Sequence, residues 1–176
     1  SDSSINPETV QAYLETEYFV RGEHDFVLRV GQFNKSLQSE HRCRGSDCSA
    51  FITAYNPYSD VVVEADNAKR NKTLIDELKR RSLAFADGMG KHPSNQWPGE
   101  PSYLVFGLSL EASKTLGARF EQNAILWCGA DCIPQLILLD EHLGLVCLLN
   151  CKRLGGVDPN CRPRHIVNAA KEELFM

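Results

Sequence analysis

Short apolar runs alternate with polar, helix-forming segments along the middle of the chain. The run SAFITAYN at residues 49–56 is apolar and ends at an Asn-Pro pair, which predicts a strand. Residues 66–81 place Leu74 and Leu78 on one face of a helix that ends in basic residues. Asp66 is the expected N-cap of this helix.

The same alternation continues further along the chain. A short strand, SLAFADG, is followed by a loop, GMGKHPSNQWPGEP, and by a second strand, SYLVFGLSL. Ser109 is expected to cap a helix on which Ala112, Leu116 and Phe120 share a face, and NAILWCG is the next strand. Residues 49–129 therefore have the order β-α-β-β-α-β. This order predicts an α/β (α+β) fold, a two-layer sandwich with a ferredoxin-like core.

Further elements flank this core. On the N-terminal side, Asn6 and Pro7 begin a helix and residues 25–31 form a strand, while the polar segment FNKSLQSEHRCRGSDC is expected to be a loop. On the C-terminal side, IPQLILL and LVCLLN predict a hairpin, and RHIVNAAKEELF predicts a last helix. We expect the N-terminal strand, 25–31, and the hairpin, 133–150, to extend the sheet.

The composition is that of a globular domain. The 176 residues are 43% hydrophobic and 24% charged, and the formal net charge of -4 argues against a duplex nucleic acid partner. We expect one domain, 1–176, with its core at 49–129 and an extension at 130–176. The sequence has neither an apolar run of membrane-spanning length nor a signal-peptide pattern, which predicts a cytoplasmic protein without a membrane partner.

The chain contains seven cysteines, an odd and high number for its length. In the absence of an export signal, we expect mostly reduced thiols that are buried as small hydrophobic groups. The spacing Cys128-x3-Cys132 is compatible with zinc, whereas Cys43-x4-Cys48 is a poorer fit. Since the cysteines fall outside the motifs described below, we expect no metal and no cofactor.

Two amides interrupt the apolar face of the central helix. Asn67 and Asn71 project from the same stripe as Leu74 and Leu78. Buried amides without partners would cost on the order of 1–3 kcal/mol each. They either satisfy backbone groups of the neighbouring turn at Asn56, or they line a pocket at the helix N-terminus, where exposed N–H groups favour an anion.

Polar residues also stand at other boundaries. Glu100 and Ser102 lie where an apolar strand begins, just after Trp97. Gln122 and Asn123 separate a helix from a strand, and a helix C-cap in the left-handed region is the simplest explanation of Asn123. The structural alternatives are that Glu100 forms an ion pair in the loop, that Ser102 is a hydroxyl on an edge strand, and that Trp97 fills the open end of the sandwich.

Several stretches together resemble a bacterial family catalogued as a domain of unknown function. The motifs that carry this resemblance are Y-x-x-T-x-Y (Tyr13, Thr16, Tyr18), L-R-V-G, T-A-Y-N-P, Asn67, W-P-G-E-P-S and Q-N-A-I-L-W. They cover most of residues 11–127 in the right order. The resemblance implies that the polar positions are family features and form a site, but it implies no activity.

Three hypotheses for the function remain open. The first is a ligand-binding or regulatory module, because amides recognise hydrogen-bonding groups and transfer protons poorly. The second is a small hydrolase or nucleotide-processing enzyme with Glu100 as its general base. The third is a protein-interaction domain without a small-molecule ligand. The candidate ligand-binding residues are Asn56, Asn67, Asn71, Trp97, Ser102, Gln122 and Asn123.

The expected partners follow from these hypotheses. They are a small-molecule or anionic ligand, together with a protein partner or a second copy of the chain at a sheet edge. We expect Glu100 to meet Asn56, Asn67 and Gln122 at the mouth of the sandwich, roofed by Trp97 and by the loop that begins at residue 88. His92, in the same loop, is expected to be solvated.

Overall fold

The computed structural model describes residues 5–94 and 96–139. Four helices and seven strands occur in this range, with a short 3-10 turn at Pro57–Ser59. The elements are α1 (Pro7–Glu15), β1 (Glu17–Val20), β2 (Phe26–Leu28), α2 (Lys35–Cys43), β3 (Ser49–Ile52), α3 (Glu64–Arg80), β4 (Phe85–Lys91), β5 (Glu100–Phe106), α4 (Leu110–Arg119), β6 (Ala124–Cys128) and β7 (Gln135–Leu138).

The seven strands of the described range form one antiparallel sheet in the order β2-β1-β4-β5-β3-β6-β7. Strand β3 pairs with both β5 and β6, so the first and last strands of the predicted core lie in the same sheet. The sheet is curled, and the backbone N–H of Gly31 after β2 donates to the carbonyl of Pro134 before β7 at 2.8 Å. The prediction of a mixed α/β fold built on this sheet is confirmed.

Each face of the sheet carries its own apolar core. On one face, α3 and α4 pack through Leu74, Leu78 and Leu116 against strand residues such as Val105. The other face is concave and holds a second cluster, which includes Leu104 and is joined by side chains of α1 and α2. Strand β5 serves both cores because its side chains alternate between the two faces.

The segment predicted as a polar loop before β3 contains a helix, so that prediction was wrong. Helix α2 spans Lys35–Cys43, and the side chain of Asn34 caps it by accepting from the backbone N–H of Leu37 at 2.9 Å. Leu37 and His41, one turn apart, are its buried residues. Two buried positions in nine residues give too weak a periodic signal to identify the helix from sequence.

Two other boundaries differ from the prediction. Helix α3 begins at Glu64 with Val63 at the N-cap and without a side-chain cap, so Asp66 lies in the first turn instead of capping it. Strand β4 continues to Lys91, so the loop begins four residues later than expected. The predicted caps Asn6 and Ser109 are confirmed, since both side chains accept a backbone N–H.

Strand β7 pairs with β6 and corresponds to the first strand of the predicted C-terminal hairpin. The second strand of that hairpin and the final helix lie outside the described residues. In the described part of the chain, no helix is both long and apolar enough to cross a membrane.

Candidate functional site

A cavity of about 350 Å³ opens on the concave face of the sheet, beneath α1. Its walls come from α1, from the strands β1, β3, β4, β5, β6 and β7, and from the turn and loop between them. The lining residues are Glu8, Thr9, Ala12, Tyr13, Thr16, Tyr18, Phe51, Thr53, Asn56, Ser59, Gly90, His92, Trp97, Glu100, Ser102, Gln122, Ala124, Ile125, Leu126 and Leu136.

Strand alternation explains why Glu100 and Ser102 occur at the start of an apolar strand. Together with Leu104 and Phe106 they face the concave side, which is apolar further along the strand and polar at the cavity. Ser102 is buried, and its hydroxyl donates to the backbone carbonyl of Glu100 at 2.9 Å. The strand therefore delivers the carboxylate into the cavity.

Neutral donors hold the Glu100 carboxylate. The side-chain amide of Asn56 donates to its Oε1 at 2.6 Å, and Trp97 hydrogen-bonds the same carboxylate. Burial raises the pKa of Glu100, and the hydrogen bonds from Asn56 and Trp97 offset only part of this rise. The result is a carboxyl group that is more basic than usual inside a cavity.

Asn56 reaches Glu100 from a strained turn. Its φ is 46°, and Tyr58 and Ser59 follow with φ values of 51° and 62°. Left-handed backbone costs about 1–3 kcal/mol for an ordinary non-glycine residue, although Asn tolerates it better. Two hydrogen bonds with Asn67 stabilise the turn: Asn56 N–H donates to Asn67 Oδ1 at 2.8 Å, and Asn67 Nδ2 donates to Asn56 Oδ1 at 2.9 Å.

Asn67 and Asn71 support the cavity from behind and do not line it. The Asn71 side chain accepts from the backbone N–H of Ala54 at 2.9 Å and donates to the carbonyl of Pro101 at 3.0 Å. Both amides therefore satisfy buried backbone groups, which was the structural alternative considered for them. The described lining of this cavity includes no residue of α3.

Gln122 and Asn123 have different roles. Gln122 lines the cavity, and its amide donates to the carbonyls of Tyr55 at 3.0 Å and Phe120 at 3.1 Å. Asn123 lies outside the lining and donates to Ser59 Oγ at 3.1 Å. The left-handed residue after α4 is Glu121, with a φ of 57°, so the C-cap explanation of Asn123 was wrong.

Sequence reasoning from the core missed the wall contributed by α1 and β1. The Tyr13 hydroxyl hydrogen-bonds Ser59 Oγ at 2.5 Å, and the Tyr18 hydroxyl donates to the carbonyl of Tyr13 at 2.6 Å. Burial raises the pKa of both phenols. The motif Y-x-x-T-x-Y was the signal that marked these residues, because Tyr13, Thr16 and Tyr18 all line the cavity.

His92 is not the solvated loop residue that we expected. It follows β4 directly, and its side chain is only 11% exposed. Its Nε2 lies 3.0 Å from a carboxylate oxygen of Glu15, at the end of α1. His92 thus places an imidazole in the cavity wall.

Asp87 does not form a carboxylate pair with Glu100. In the β4–β5 ladder Asp87 lies opposite Tyr103, whereas Glu100 lies opposite Gly90. Tyr103 and Glu100 are an odd number of residues apart on β5, so they face opposite sides of the sheet. Glu100 is therefore the carboxyl group that β5 contributes to the cavity, without Asp87.

Comparison with known families places part of this site in a recognised segment. Residues 52–125 match the family described as "Protein of unknown function (DUF3293)". The resemblance to a domain of unknown function is confirmed over this segment. No curated protein and no solved structure matches the chain. The DUF3293 segment includes Asn56, Trp97, Glu100, Ser102 and Gln122, which all line the cavity.

The α1 and β1 wall lies before the DUF3293 segment in sequence. Tyr13, Thr16 and Tyr18 nevertheless line the same cavity as Glu100. The cavity is thus assembled from residues within the DUF3293 segment and residues on either side of it, with Leu126 and Leu136 following it.

The cysteines of the described range lie apart from the cavity lining. Cys128 and Cys132 are buried, Cys48 is partly buried and Cys43 is exposed, and these four thiols are free. The described residues contain no group of three or more His, Cys, Asp or Glu side chains that could hold a metal ion.

Proposed function

We propose that the protein is a small-molecule-binding module whose binding site is the cavity around Glu100. The observation that carries this proposal is the carboxylate itself, which lies partly buried in the cavity and is held by Asn56 and Trp97. A volume of about 350 Å³ lies at the small end of the range for ligand pockets, roughly 300–1,000 Å³.

The strained turn supports the same proposal. The left-handed residues Asn56, Tyr58 and Ser59 are consecutive except for Pro57, and two of them line the cavity. Strain of this kind concentrates at ligand sites, where the surrounding structure fixes it. In this proposal, the hydrogen bonds of Asn67 and Asn71 hold the backbone behind the ligand-binding surface in place.

A thermal-shift screen against nucleotides, amino acids, sugars and amines tests the proposal. A ligand that binds only the folded state raises the Tm. Gly90→Leu is the matched control, because a Cβ at Gly90 has its nearest neighbour at 3.6 Å and the longer side chain extends into the cavity. We expect this variant to fold and to lose the shift. A screen without a stabilising compound, or shifts that Gly90→Leu leaves unchanged, would contradict the proposal.

Trp97 provides a second measurement of binding. It lines the cavity with 46% of its surface exposed, so a bound ligand should change its fluorescence. Trp127, the other Trp of the chain, packs on the opposite face of the sheet and gives a constant background. The Trp97→Phe variant should retain that background and lose the ligand-dependent change.

A second candidate function is a small hydrolase or nucleotide-processing enzyme with Glu100 as general base. The observation that favours it is the carboxyl group whose burial raises its pKa, because such a group accepts a proton more readily near neutral pH. Glu100→Gln separates the two functions. An enzyme loses turnover with little change in substrate affinity, whereas a binding module changes affinity and has no turnover to lose.

For the fold, we propose that β3, β4, β5 and β6 with α3 and α4 are a ferredoxin-like core. The chain order β-α-β-β-α-β and the strand order β4-β5-β3-β6 support this assignment. The free thiols of the described range support a reducing, cytoplasmic location.

A further inference from the structure

The charge of the cavity wall restricts the ligand. Glu8 and Glu100 supply two carboxyl groups to the lining, and His92 supplies an imidazole. The lining, all within the described residues, includes neither Lys nor Arg. An anionic ligand would therefore enter a wall without a permanent positive charge, against the repulsion of Glu100.

Glu100 is desolvated without a cationic partner in the described chain. Its recorded donors, Asn56 and Trp97, are neutral groups. A buried carboxylate is normally paired with a cation, because neutral hydrogen bonds replace only part of its hydration. A carboxylate has about four acceptor positions, so two donors leave capacity for a ligand.

Aromatic side chains line the same cavity as this carboxylate. Tyr13, Tyr18, Phe51 and Trp97 all line the cavity, and the rings of Tyr18 and Phe51 meet edge to face at 5.3 Å. Aromatic rings attract cations through the negative potential of their faces, and they accept the apolar part of an organic ligand.

From this combination we infer that the cavity binds an organic cation, an amine, amidine or guanidine, whose charged N–H group donates to the Glu100 carboxylate. The inference rests on the proposed binding function and narrows it to one chemical class. The cation supplies the missing counter-charge, and its apolar body lies among the aromatic side chains.

Three probes of matched shape test this inference: benzamidinium, benzamide and benzoate, which are cationic, neutral and anionic. Each is titrated calorimetrically into the protein at constant pH and ionic strength. We expect benzamidinium to bind at least about tenfold more tightly than benzoate, because a hydrogen bond to a charged group is worth about 1.5–3 kcal/mol. Benzamide should lie between them.

Two carboxyl-to-amide variants provide the matched controls. Glu100→Gln should reduce the preference for benzamidinium to less than about threefold. Glu111→Gln removes the same charge from an exposed position on α4, outside the cavity lining, and should leave the preference intact. Equal losses in both variants would overturn the inference, because the preference would then reflect the overall charge of the protein.

The results also distinguish this inference from the proposed function. If benzoate or benzamide binds as tightly as benzamidinium and Gly90→Leu abolishes that binding, the cavity is a ligand site but the preference for cations is wrong. If the three probes and the broader screen all fail to bind, both the proposed function and this inference are wrong.

Discussion

The Asn56 side-chain amide donates to Glu100 Oε1 at 2.6 Å, across 44 residues of sequence. Asn56 occupies a left-handed position in the turn after β3, and Glu100 is the first residue of β5. The same Asn56 side chain accepts from Asn67, so one hydrogen-bonded chain connects α3 to the cavity. The contact joins the strained turn to the group on which the proposed function depends.

Substitutions at Asn56 separate the contribution of its side chain to stability from that of its left-handed backbone. Asn56→Gly keeps the left-handed backbone and removes the hydrogen bonds, so we expect a loss of about 1–3 kcal/mol in the free energy of unfolding. Asn56→Asp retains the acceptor but places a second carboxylate beside Glu100. Because the two carboxylates repel each other when both are ionised, the variant should be destabilised more at neutral pH than at pH 4. Urea unfolding at both pH values measures this. A pH-independent loss in the Asp variant would contradict it.

Glu100→Gln should change how stability depends on pH. Burial raises the folded-state pKa of Glu100 above its ordinary value of 4.5. Its contribution to stability is therefore complete below that ordinary value and is lost as the pH rises through the folded-state pKa. The Gln variant lacks this loss, so its stability relative to the wild type should be greater at pH 7.5 than at pH 4.

Urea unfolding of the two proteins at several pH values measures this difference. Glu8 and His92 are present in both proteins, and the Tyr13 and Tyr18 phenols ionise only at much higher pH. The comparison therefore isolates Glu100. A difference in stability that is constant across this pH range would show that Glu100 has an unshifted pKa.

Asn71 should act as a structural support. It is buried and satisfies the N–H of Ala54 and the carbonyl of Pro101. Asn71→Ala leaves both groups without this partner, and we expect a loss of about 1–3 kcal/mol in unfolding free energy. Thr73→Ala, at an exposed position of the same helix, should change it by less than about 0.5 kcal/mol. Similar effects of the two substitutions would contradict this role.

Two glycines of β4 offer a contrast within one strand. A Cβ at Gly88 would lie 2.6 Å from the carbonyl oxygen of Phe19 and 2.7 Å from a ring carbon of Phe51. At Gly90 the nearest atom would be a ring carbon of Tyr18 at 3.6 Å, an ordinary contact. Thermal unfolding should therefore show Gly88→Ala destabilised by about 1–3 kcal/mol and Gly90→Ala unchanged or stabilised by up to about 1 kcal/mol. Equal effects would contradict the close approach at Gly88.

The same glycines show where sequence patterns fail. Gly88, Met89 and Gly90 have the composition of a loop, yet they belong to β4, and at Gly88 the strand β1 and Phe51 approach the backbone too closely for a side chain. Helix α2 was missed for a related reason, since its polar surface hides two buried positions, Leu37 and His41. Both features depend on partners that are distant in sequence.

The candidate site was more accessible to sequence reasoning than these elements. Glu100, Ser102 and Gln122 were conspicuous because they interrupt apolar patterns, and the structure brings all three into one cavity. The pattern could not distinguish Asn67 and Asn71, which support the wall, from Asn56, which forms it. That distinction depends on which atoms each amide reaches, and periodicity carries no information about this.

Glu77 should control stability in acid. Its side chain is 8% exposed and accepts hydrogen bonds from Arg80 at 2.7 Å, Arg81 at 2.8 Å and Arg119 at 3.0 Å. Arg80 makes the largest contribution, and together these groups lower the pKa of Glu77 to about 2. Because the pKa is lowered on folding, the stability that Glu77 contributes is present above its ordinary value of 4.5 and is lost as the pH falls through about 2.

Acid titration of Glu77→Gln tests this prediction against a matched control. We expect the wild type to lose stability more steeply than Glu77→Gln between pH 4.5 and 2, because the variant takes up one proton fewer on unfolding. Glu111→Gln removes a carboxylate that is 80% exposed and paired with Lys114 on α4, so its acid profile should follow the wild type. Urea unfolding at half-unit pH steps measures the slopes. If Glu77→Gln keeps the wild-type slope, the three arginines do not hold Glu77 ionised, and α3 and α4 are not joined through its charge.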